Sequence, residues 1–479
     1  MSDLNKNIVK ATKWSTITEI LAKLITPITS IVLARLLAPE AFGVVTTLTM
    51  IISFAEIFTD AGFQKYLIQH EFKDEQDKIQ NTNVAFWSNL VLSLLLWFII
   101  IIFSEPLAAM VGNPGLGNVL SIACVSIPLA AFSSIQMALY KRDLDFKTLF
   151  KVRIIGLFVP LFITVPLAFF MRSYWALVIG TIVTNLLNAL FLTLFSKWKP
   201  SFYYSFKQLK EMFSFTVWSL IEAISIWLTS YVDVFIIGIY LNAHYLGLYK
   251  TSMVVVGQIM GLITAATTPI LFSSLSRLQS DQQAFESLFF KFQKLVGLLV
   301  IPMGVGIFCF RDFITTLLLG DQWGEASYFI GLWGLTSAIT IVLSHYSSEV
   351  YRAKGRPKLS VLSQVLHLVV LWPVVMIAVK YGFDVLCTSR ALVRLEMILV
   401  NLVIMMVVVK ISPLKMFVNV SQSLAASLVM GVVGTLLLEM GDSVLWNIFS
   451  IAICVAVYSG IVLIVPENRV MLKSLVKKF

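Results

Sequence analysis

The stretch that decides the fold is VAFWSNLVLSLLLWFIIIIFS, residues 84–104, in which 21 consecutive positions carry no charged side chain. At a rise of about 1.5 Å per residue, a helix of this length crosses the hydrocarbon core of a membrane, which is about 30 Å thick. The whole chain shares this character, because 58% of its 479 residues are hydrophobic and 13% are charged. In soluble domains about 45–50% of the residues are hydrophobic and about 25% are charged. The sequence therefore predicts a membrane protein.

Similar apolar stretches recur along the chain and are separated by short polar or Gly- and Pro-containing connections. Hydropathy and these connections predict an all-α polytopic membrane protein of about 14 transmembrane helices. We place the helices at 13–36, 41–66, 84–104, 117–139, 152–171, 174–195, 214–240, 247–273, 290–310, 325–349, 359–380, 384–409, 421–439 and 443–465.

Basic residues are distributed unevenly between the two sides of the predicted membrane. Of the 36 Lys and Arg residues, 27 fall at the termini or in connections on the same side, and five lie at helix ends on the other side. Because basic connections stay in the cytoplasm, we predict a multi-pass protein of the bacterial inner membrane with both termini cytoplasmic. The short, dispersed basic clusters argue against a nucleic-acid partner, despite the net charge of +10.

An internal repeat divides the predicted helices. Trp14 opens the first helix and Gly43 lies at the start of the second, while Trp218 and Gly247 hold the same places in the seventh and eighth; both separations are 29 residues. Six helices lie between the copies, which predicts two pseudo-symmetric six-helix bundles followed by a helix pair. The predicted domains are 1–200, the N-terminal bundle, 201–410, the C-terminal bundle, and 411–479, two additional transmembrane helices and a cytoplasmic tail.

Ionisable side chains inside the apolar helices mark candidate functional positions, because each costs about 2.5–3.5 kcal/mol near the bilayer centre. They recur every three or four residues in several helices, which places them on one polar stripe of each helix. We expect these stripes to line one water-filled cavity. The predicted cationic residues are Lys23, Arg390, Arg394 and Lys250, and the predicted acidic residues, which could carry a coupling ion, are Glu19, Glu56, Asp60, Glu222 and Asp233.

Some of these charges have a structural alternative. Glu19 and Lys23 are spaced i, i+4 and could neutralise each other, and Glu222 and Asp233 could instead anchor the arginines. Pro27 lies four residues after Lys23 and is the candidate hinge, because proline removes a backbone hydrogen bond and permits a kink.

The sequence lacks the residue constellations of an enzyme or a metal site. No serine belongs to a recognisable acid–base dyad, and His345 and His367 have no partner at a metal-ligand spacing. For these histidines, packing or a helix-to-helix hydrogen bond is the better explanation. We expect no enzyme activity, no metal, and no cofactor apart from H⁺ or Na⁺ as a coupling ion.

Five motifs occur in an informative order: ARLLAPEAFG at 34–43, DAGF at 60–63, DVFIIG at 233–238 followed by LGLY at 246–249, LGDQW at 319–323, and AKGRPK at 353–358. With them, nearly the whole chain resembles the polysaccharide transporter family, the Wzx-type flippases of the multidrug, oligosaccharidyl-lipid and polysaccharide (MOP) exporter superfamily.

This resemblance implies that the protein moves an undecaprenyl-diphosphate-linked oligosaccharide from the cytoplasmic to the periplasmic leaflet for O-antigen, exopolysaccharide or capsule synthesis. It also implies a cationic cavity and alternating access, often coupled to an ion gradient. Lys23, Arg390, Arg394 and Lys250 would bind the phosphate oxygens. The acidic residues make this cavity mixed in charge, which departs from a simple anion-binding chamber. Implied partners are the lipid-linked oligosaccharide, membrane lipids, a polysaccharide polymerase and glycosyltransferases.

Two alternatives from other functional classes remain. A cation-coupled multidrug or organic-cation exporter of the related MATE branch would share the fold and the acidic residues, but the basic residues in the helices favour an anionic lipid carrier. A non-transporting scaffold of a polysaccharide synthase complex would have fully paired charges and no solvent access at Lys23.

Overall fold

The computed structural model describes residues 2–60, 62–466 and 468–469; within these ranges the side chains of 2–9, 60, 213–219 and 221–222 are not described. Every regular element in these ranges is helical. The first twelve α-helices are α1 (Ser2–Leu36), α2 (Pro39–Asp60), α3 (Phe63–Gln69), α4 (Glu75–Ile102), α5 (Ser104–Met110), α6 (Gly117–Ala123), α7 (Ser126–Arg142), α8 (Phe146–Val159), α9 (Val165–Met171), α10 (Trp175–Phe195), α11 (Phe206–Tyr240) and α12 (Ala243–Arg277). The remaining α-helices are α13 (Gln282–Cys309), α14 (Arg311–Leu318), α15 (Ser327–Thr340), α16 (Ser347–Ala353), α17 (Lys358–Ala378), α18 (Phe383–Leu392), α19 (Arg394–Ile404), α20 (Pro413–Leu438) and α21 (Val444–Ile464).

Fourteen helical segments in the described ranges are long and apolar enough to cross a membrane. The stretch at 84–104 lies in the segment Glu75–Ile102, and the last predicted helix, 443–465, is found at Val444–Ile464. The predicted all-α polytopic membrane fold is therefore confirmed.

Two membrane segments consist of two helices joined by a wider helical turn, and a third segment ends in such a turn. Single π-helical turns occur at Pro160–Thr164, between α8 and α9, at Ile341–His345, between α15 and α16, and at Met405–Val409, after α19. Pro160 has no backbone N–H and cannot continue the regular hydrogen-bond ladder, which accounts for the first of these turns. Short 3₁₀ turns at Asp321–Ala326 and Val379–Tyr381 precede α15 and α18.

The second predicted helix, 41–66, is too long. Helix α2 ends at Asp60, and α3 begins separately at Phe63. Gly62 lies between them with φ −120° and ψ −43°, outside helical geometry, and glycine is the ordinary residue least favourable to a helix apart from proline. The polar stripe predicted for this helix therefore stops at Asp60.

The chain packs into two compact units, residues 1–250 and 251–479, and the boundary falls inside α12. In the first unit α7 packs against α4 and α10, and α1 packs against α8. In the second unit α13 packs against α15 and α20, and α20 packs against α21. The division of the chain after residues 200 and 410 stays a prediction.

Candidate functional site

Two of the predicted cations lie around one tryptophan in the second unit. The guanidinium carbon of Arg394 lies 4.0 Å from the ring centroid of Trp333, and that of Arg390 lies 5.1 Å from it. Trp333 and Arg390 are 6% and 8% exposed, respectively, and are therefore buried in the protein, whereas Arg394 is half-buried. We call these three residues the arginine–tryptophan cluster.

Three helices build this cluster. Trp333 lies on α15, Arg390 lies near the end of α18, and Arg394 is the first residue of α19, four residues after Arg390 in the chain. Arg394 also donates a hydrogen bond from Nη1 to Ser337 Oγ at 2.7 Å. Because Ser337 follows Trp333 by four residues on α15, one face of this helix holds the guanidinium group by both stacking and hydrogen bonding.

A histidine–carboxylate pair lies beside the cluster. His367 Nδ1 on α17 and Glu396 Oε2 on α19 are 3.0 Å apart, and His367 is also within electrostatic range of both Arg390 and Arg394. The helix-to-helix hydrogen bond expected for a lone histidine is thus present at His367. Neither member was among the predicted site residues. The available signal was Glu396, a carboxylate in an apolar helix two residues after Arg394.

The predicted cation and acid of α1 do not neutralise each other. Glu19 and Lys23 are both exposed, and among the residues that the structure describes no salt bridge joins them. The i, i+4 pairing that their spacing allows is therefore not formed. Pro27 lies inside α1, which continues as one helix to Leu36.

A third group of predicted residues occupies the facing parts of α11 and α12. Asp233 is 2% exposed and accepts a hydrogen bond at 2.7 Å from the hydroxyl of Tyr249. Lys250 follows Tyr249 in the chain, and its ammonium nitrogen lies 5.3 Å from the ring centroid of Tyr231. The structure therefore brings Asp233 and Lys250 to neighbouring turns of two helices, each with a tyrosine as partner.

The remaining acidic predictions are less defined. Glu56 is half-buried on α2 and lies within electrostatic range of Cys124. The side chains of Asp60 and Glu222 lie outside the described residues, so their predicted role stays a prediction. No group of three His, Cys, Asp or Glu side chains in the described ranges is arranged to hold a metal ion.

An apolar groove of about 560 Å³ opens in the second unit. It is formed by α12, α13, α14, α20 and α21. Its lining includes Pro302, Gly306, Phe310, Met430 and Tyr458. Such a surface fits hydrocarbon and offers almost nothing to a polar ligand.

Comparisons with known proteins agree with this architecture. The sequence profile of a family described as polysaccharide biosynthesis protein matches residues 32–328, more than half of the chain. The succinoglycan biosynthesis transport protein ExoT of Rhizobium meliloti is 24% identical over 336 residues, which are 70% of this chain and 67% of ExoT. The lipopolysaccharide biosynthesis protein WzxC of Escherichia coli K12 is 22% identical over 327 residues, 67% of this chain and 65% of WzxC.

A solved structure shares the fold over almost the entire chain. The lipid II flippase MurJ in an inward closed conformation aligns with a TM-score of 0.74 and 16% identity, over 93% of this chain and 97% of MurJ. At this identity the similarity establishes the fold and no more. The matched family profile covers more than half of the chain and shows that the chain belongs to the polysaccharide biosynthesis protein family.

Proposed function

We propose that this protein is a flippase that moves an undecaprenyl-diphosphate-linked oligosaccharide from the cytoplasmic to the periplasmic leaflet by alternating access. The observation that carries the proposal is the arginine–tryptophan cluster, in which two guanidinium groups on α18 and α19 lie near one indole ring on α15. Guanidinium forks match phosphate oxygens in a planar, bidentate manner. A diphosphate offers several such oxygens and carries the charge that two arginines complement.

The environment of the cluster supports an anionic ligand over a cationic one. The cluster itself contributes two positive charges, and the neighbouring carboxylate of Glu396 contacts the imidazole of His367. Each arginine retained inside a transmembrane helix costs about 2.5–3.5 kcal/mol on insertion scales, which favours a functional role for two of them in one helical segment. Binding of a charged headgroup during transport supplies that role.

The lipid part of this substrate requires an apolar surface. The groove beside α20 and α21 has that character, with Gly306 leaving open space in its wall. We propose that it holds part of the polyprenyl chain while the headgroup crosses the protein. The sugar moiety would travel in the polar pathway lined by Lys23 and the predicted acidic residues.

Ion coupling is the part of the proposal that rests on acidic residues. Glu56 is half-buried, Asp233 is buried against Tyr249, and Asp60 lies in the same predicted stripe as Glu56. We propose that one of them carries H⁺ or Na⁺. Transport by Glu56→Gln, Asp60→Asn and Asp233→Asn variants, measured at several pH values and Na⁺ concentrations, tests this. An unchanged dependence on pH and on Na⁺ in all three variants would remove them as coupling sites.

The central experiment replaces the arginines. In a strain that depends on this protein for polymer export, Arg390→Ala and Arg394→Ala should each abolish export at normal protein levels, and lipid-linked oligosaccharide should accumulate on the cytoplasmic side. Arg311→Ala is the matched control, because Arg311 also lies over aromatic rings, 5.4 Å from Phe308 and 6.0 Å from Tyr328, but outside the cluster. Normal export in both cluster variants would remove the site.

Two measurements separate this function from the alternatives. A multidrug exporter would transport organic cations and keep doing so without Arg390 and Arg394. A non-transporting scaffold would give no labelling by water-soluble reagents of cysteines placed at positions 23 and 394, whereas a transport pathway predicts labelling at both.

A further inference from the structure

The two copies of the internal repeat meet inside the first unit through the same short segment. Equivalent positions differ by 204 residues, so that PEAFG at 39–43 corresponds to AHYLG at 243–247. Each segment opens a helix, α2 in the first copy and α12 in the second. The segments are therefore equivalent both in sequence position and in local structure.

Their contact is reciprocal. A Cβ atom built on Gly43 would overlap the carbonyl oxygen of Ala243, and one built on Gly247 would overlap the carbonyl oxygen of Pro39. Since Gly43 is equivalent to Gly247 and Pro39 to Ala243, each glycine receives the first helical carbonyl of the other copy. This self-complementary pattern is that of an interface with two-fold symmetry. Only glycine allows so close a backbone approach.

The residue pair at the centre of this contact is also made of equivalent positions. His244 Nδ1 and Glu40 Oε1 are 2.6 Å apart, and 40 and 244 differ by the repeat offset. A residue that contacts its own symmetry equivalent lies on the symmetry axis. The two side chains are 26% and 54% exposed, so the pair is hydrated and can separate at low cost.

A second contact lies further along α2. The indole N–H of Trp227 on α11 donates to Ser53 Oγ at 3.1 Å and to the carbonyl oxygen of Met50 at 3.3 Å. The ring of Trp227 also lies 4.8 Å from that of Phe54. Ser53 is ten residues beyond Gly43 on α2, which is about 15 Å along the helix axis. The contact between the two copies of the repeat therefore continues about three turns into the helix from its start.

We infer that the paired starts of α2 and α12 form the extracytoplasmic gate of the transport pathway, closed in this structure, that the contacts of Gly43 and Gly247 seal it, and that the Glu40–His244 pair holds its two segments together. The inference rests on the proposed transport function. The side follows from the loop-charge prediction, which assigns both helix starts to the side poor in basic residues. The tight glycine contacts exclude water, and the hydrated pair lets the two segments separate in each cycle.

The gate is tested by joining its two halves. Cysteines replace Glu40 and His244 in a protein whose four native cysteines are changed to alanine, and a short bifunctional maleimide or an oxidant links them. We expect the link to form, to stop polymer export, and to release export again when a reducible link is cleaved. Full export by linked protein would overturn the gate.

A matched pair controls for the chemistry. Lys78 on α4 and Asp143, the residue directly after α7, also form a partly exposed charge contact within the first unit, with 3.7 Å between Nζ and Oδ1. A link between cysteines at 78 and 143 should leave export unchanged, because neither position lies in the repeat contact. If this link also stopped export, a block at 40 and 244 would not indicate a gate, and the inference would be withdrawn.

A second readout does not depend on the identity of the substrate. In a Ser53→Cys protein with no other cysteine, a membrane-impermeant maleimide added from outside should label position 53 slowly, and Gly43→Leu or Gly247→Leu should raise the rate at least fivefold. An unchanged rate in both variants would overturn the gate even where export is normal. Loss of the proposed function, shown by normal export in a strain lacking this protein, would leave this labelling result standing.

Discussion

Glu40 and His244, 204 residues apart in the chain, bring Oε1 and Nδ1 within 2.6 Å of each other, and 204 is also the offset of the internal repeat. The chain thus joins two equivalent positions, one acidic and one imidazole, on a local two-fold axis. In such an arrangement the contact can form whether the carboxylate lies in the first copy of the repeat and the imidazole in the second, or the reverse.

This symmetry predicts the result of a residue exchange. Glu40→Gln or His244→Gln removes one partner of a partly exposed pair, which costs about 1 kcal/mol and should raise outside labelling of Ser53→Cys about fivefold. The exchanged protein, Glu40→His with His244→Glu, should return labelling close to the wild-type rate. If the exchanged protein behaves like the single variants, the two positions are not related by symmetry.

The glycines of the gate should tolerate no side chain. Gly43→Ala and Gly247→Ala each place a methyl group onto a carbonyl oxygen, so we expect reduced export and faster labelling from outside. Gly257→Ala on α12 is the control, because a Cβ there meets no atom within 4 Å and alanine favours a helix by about 0.5–1 kcal/mol over glycine. Export and labelling by the control should match the wild type.

The tryptophan of the arginine–tryptophan cluster should matter as much as the arginines. Trp333→Leu removes the ring that holds both guanidinium groups, and a desolvated cation–π contact is worth about 2 kcal/mol. We expect at least tenfold weaker binding of a lipid diphosphate, measured with purified protein in detergent. Trp372→Leu, at a ring that is 50% exposed on α17, should leave binding unchanged. Equal binding by both variants would show that the ring has no part in the site.

The His367–Glu396 pair should be coupled in its effect on stability. His367→Leu leaves the Glu396 carboxylate without its hydrogen-bond partner, and Glu396→Leu leaves the buried imidazole of His367 without its partner. Each substitution should therefore lower the free energy of unfolding by about 1–3 kcal/mol. The double variant should lose less than the sum of the two. Thermal unfolding in detergent measures this, and strictly additive losses would mean that the pair contributes no interaction energy.

The apolar groove of the second unit should be sensitive to filling. A side chain at Gly306 enters open space, so Gly306→Ala and Gly306→Leu should leave the melting temperature close to that of the wild type. If the groove holds part of the lipid chain, export should fall in the order glycine, alanine, leucine. Equal export by all three proteins would exclude the groove as a lipid site.

Much of the fold was predictable because membrane insertion depends on local composition. The stretch at 84–104 alone required a transmembrane helix, and thirteen further segments of the same kind were located from hydropathy. The second helix was predicted too long because apolar residues continue past Gly62, where only backbone geometry ends α2. Hydropathy records which residues suit a membrane, not where the helical hydrogen bonds stop.

The sequence predicted which charged residues belong to the candidate site, but it predicted few of the side chains that they contact. The sequence determined that Arg390 and Arg394 lie four residues apart in the twelfth predicted helix and that the second and eighth predicted helices begin with equivalent segments, because both follow from spacing along the chain. Only the tertiary structure decided that the arginines stack on Trp333, that Glu396 pairs with His367, and that the two copies of the repeat touch through their glycines. These contacts depend on how each helix is rotated and packed against another, and sequence spacing leaves that rotation open.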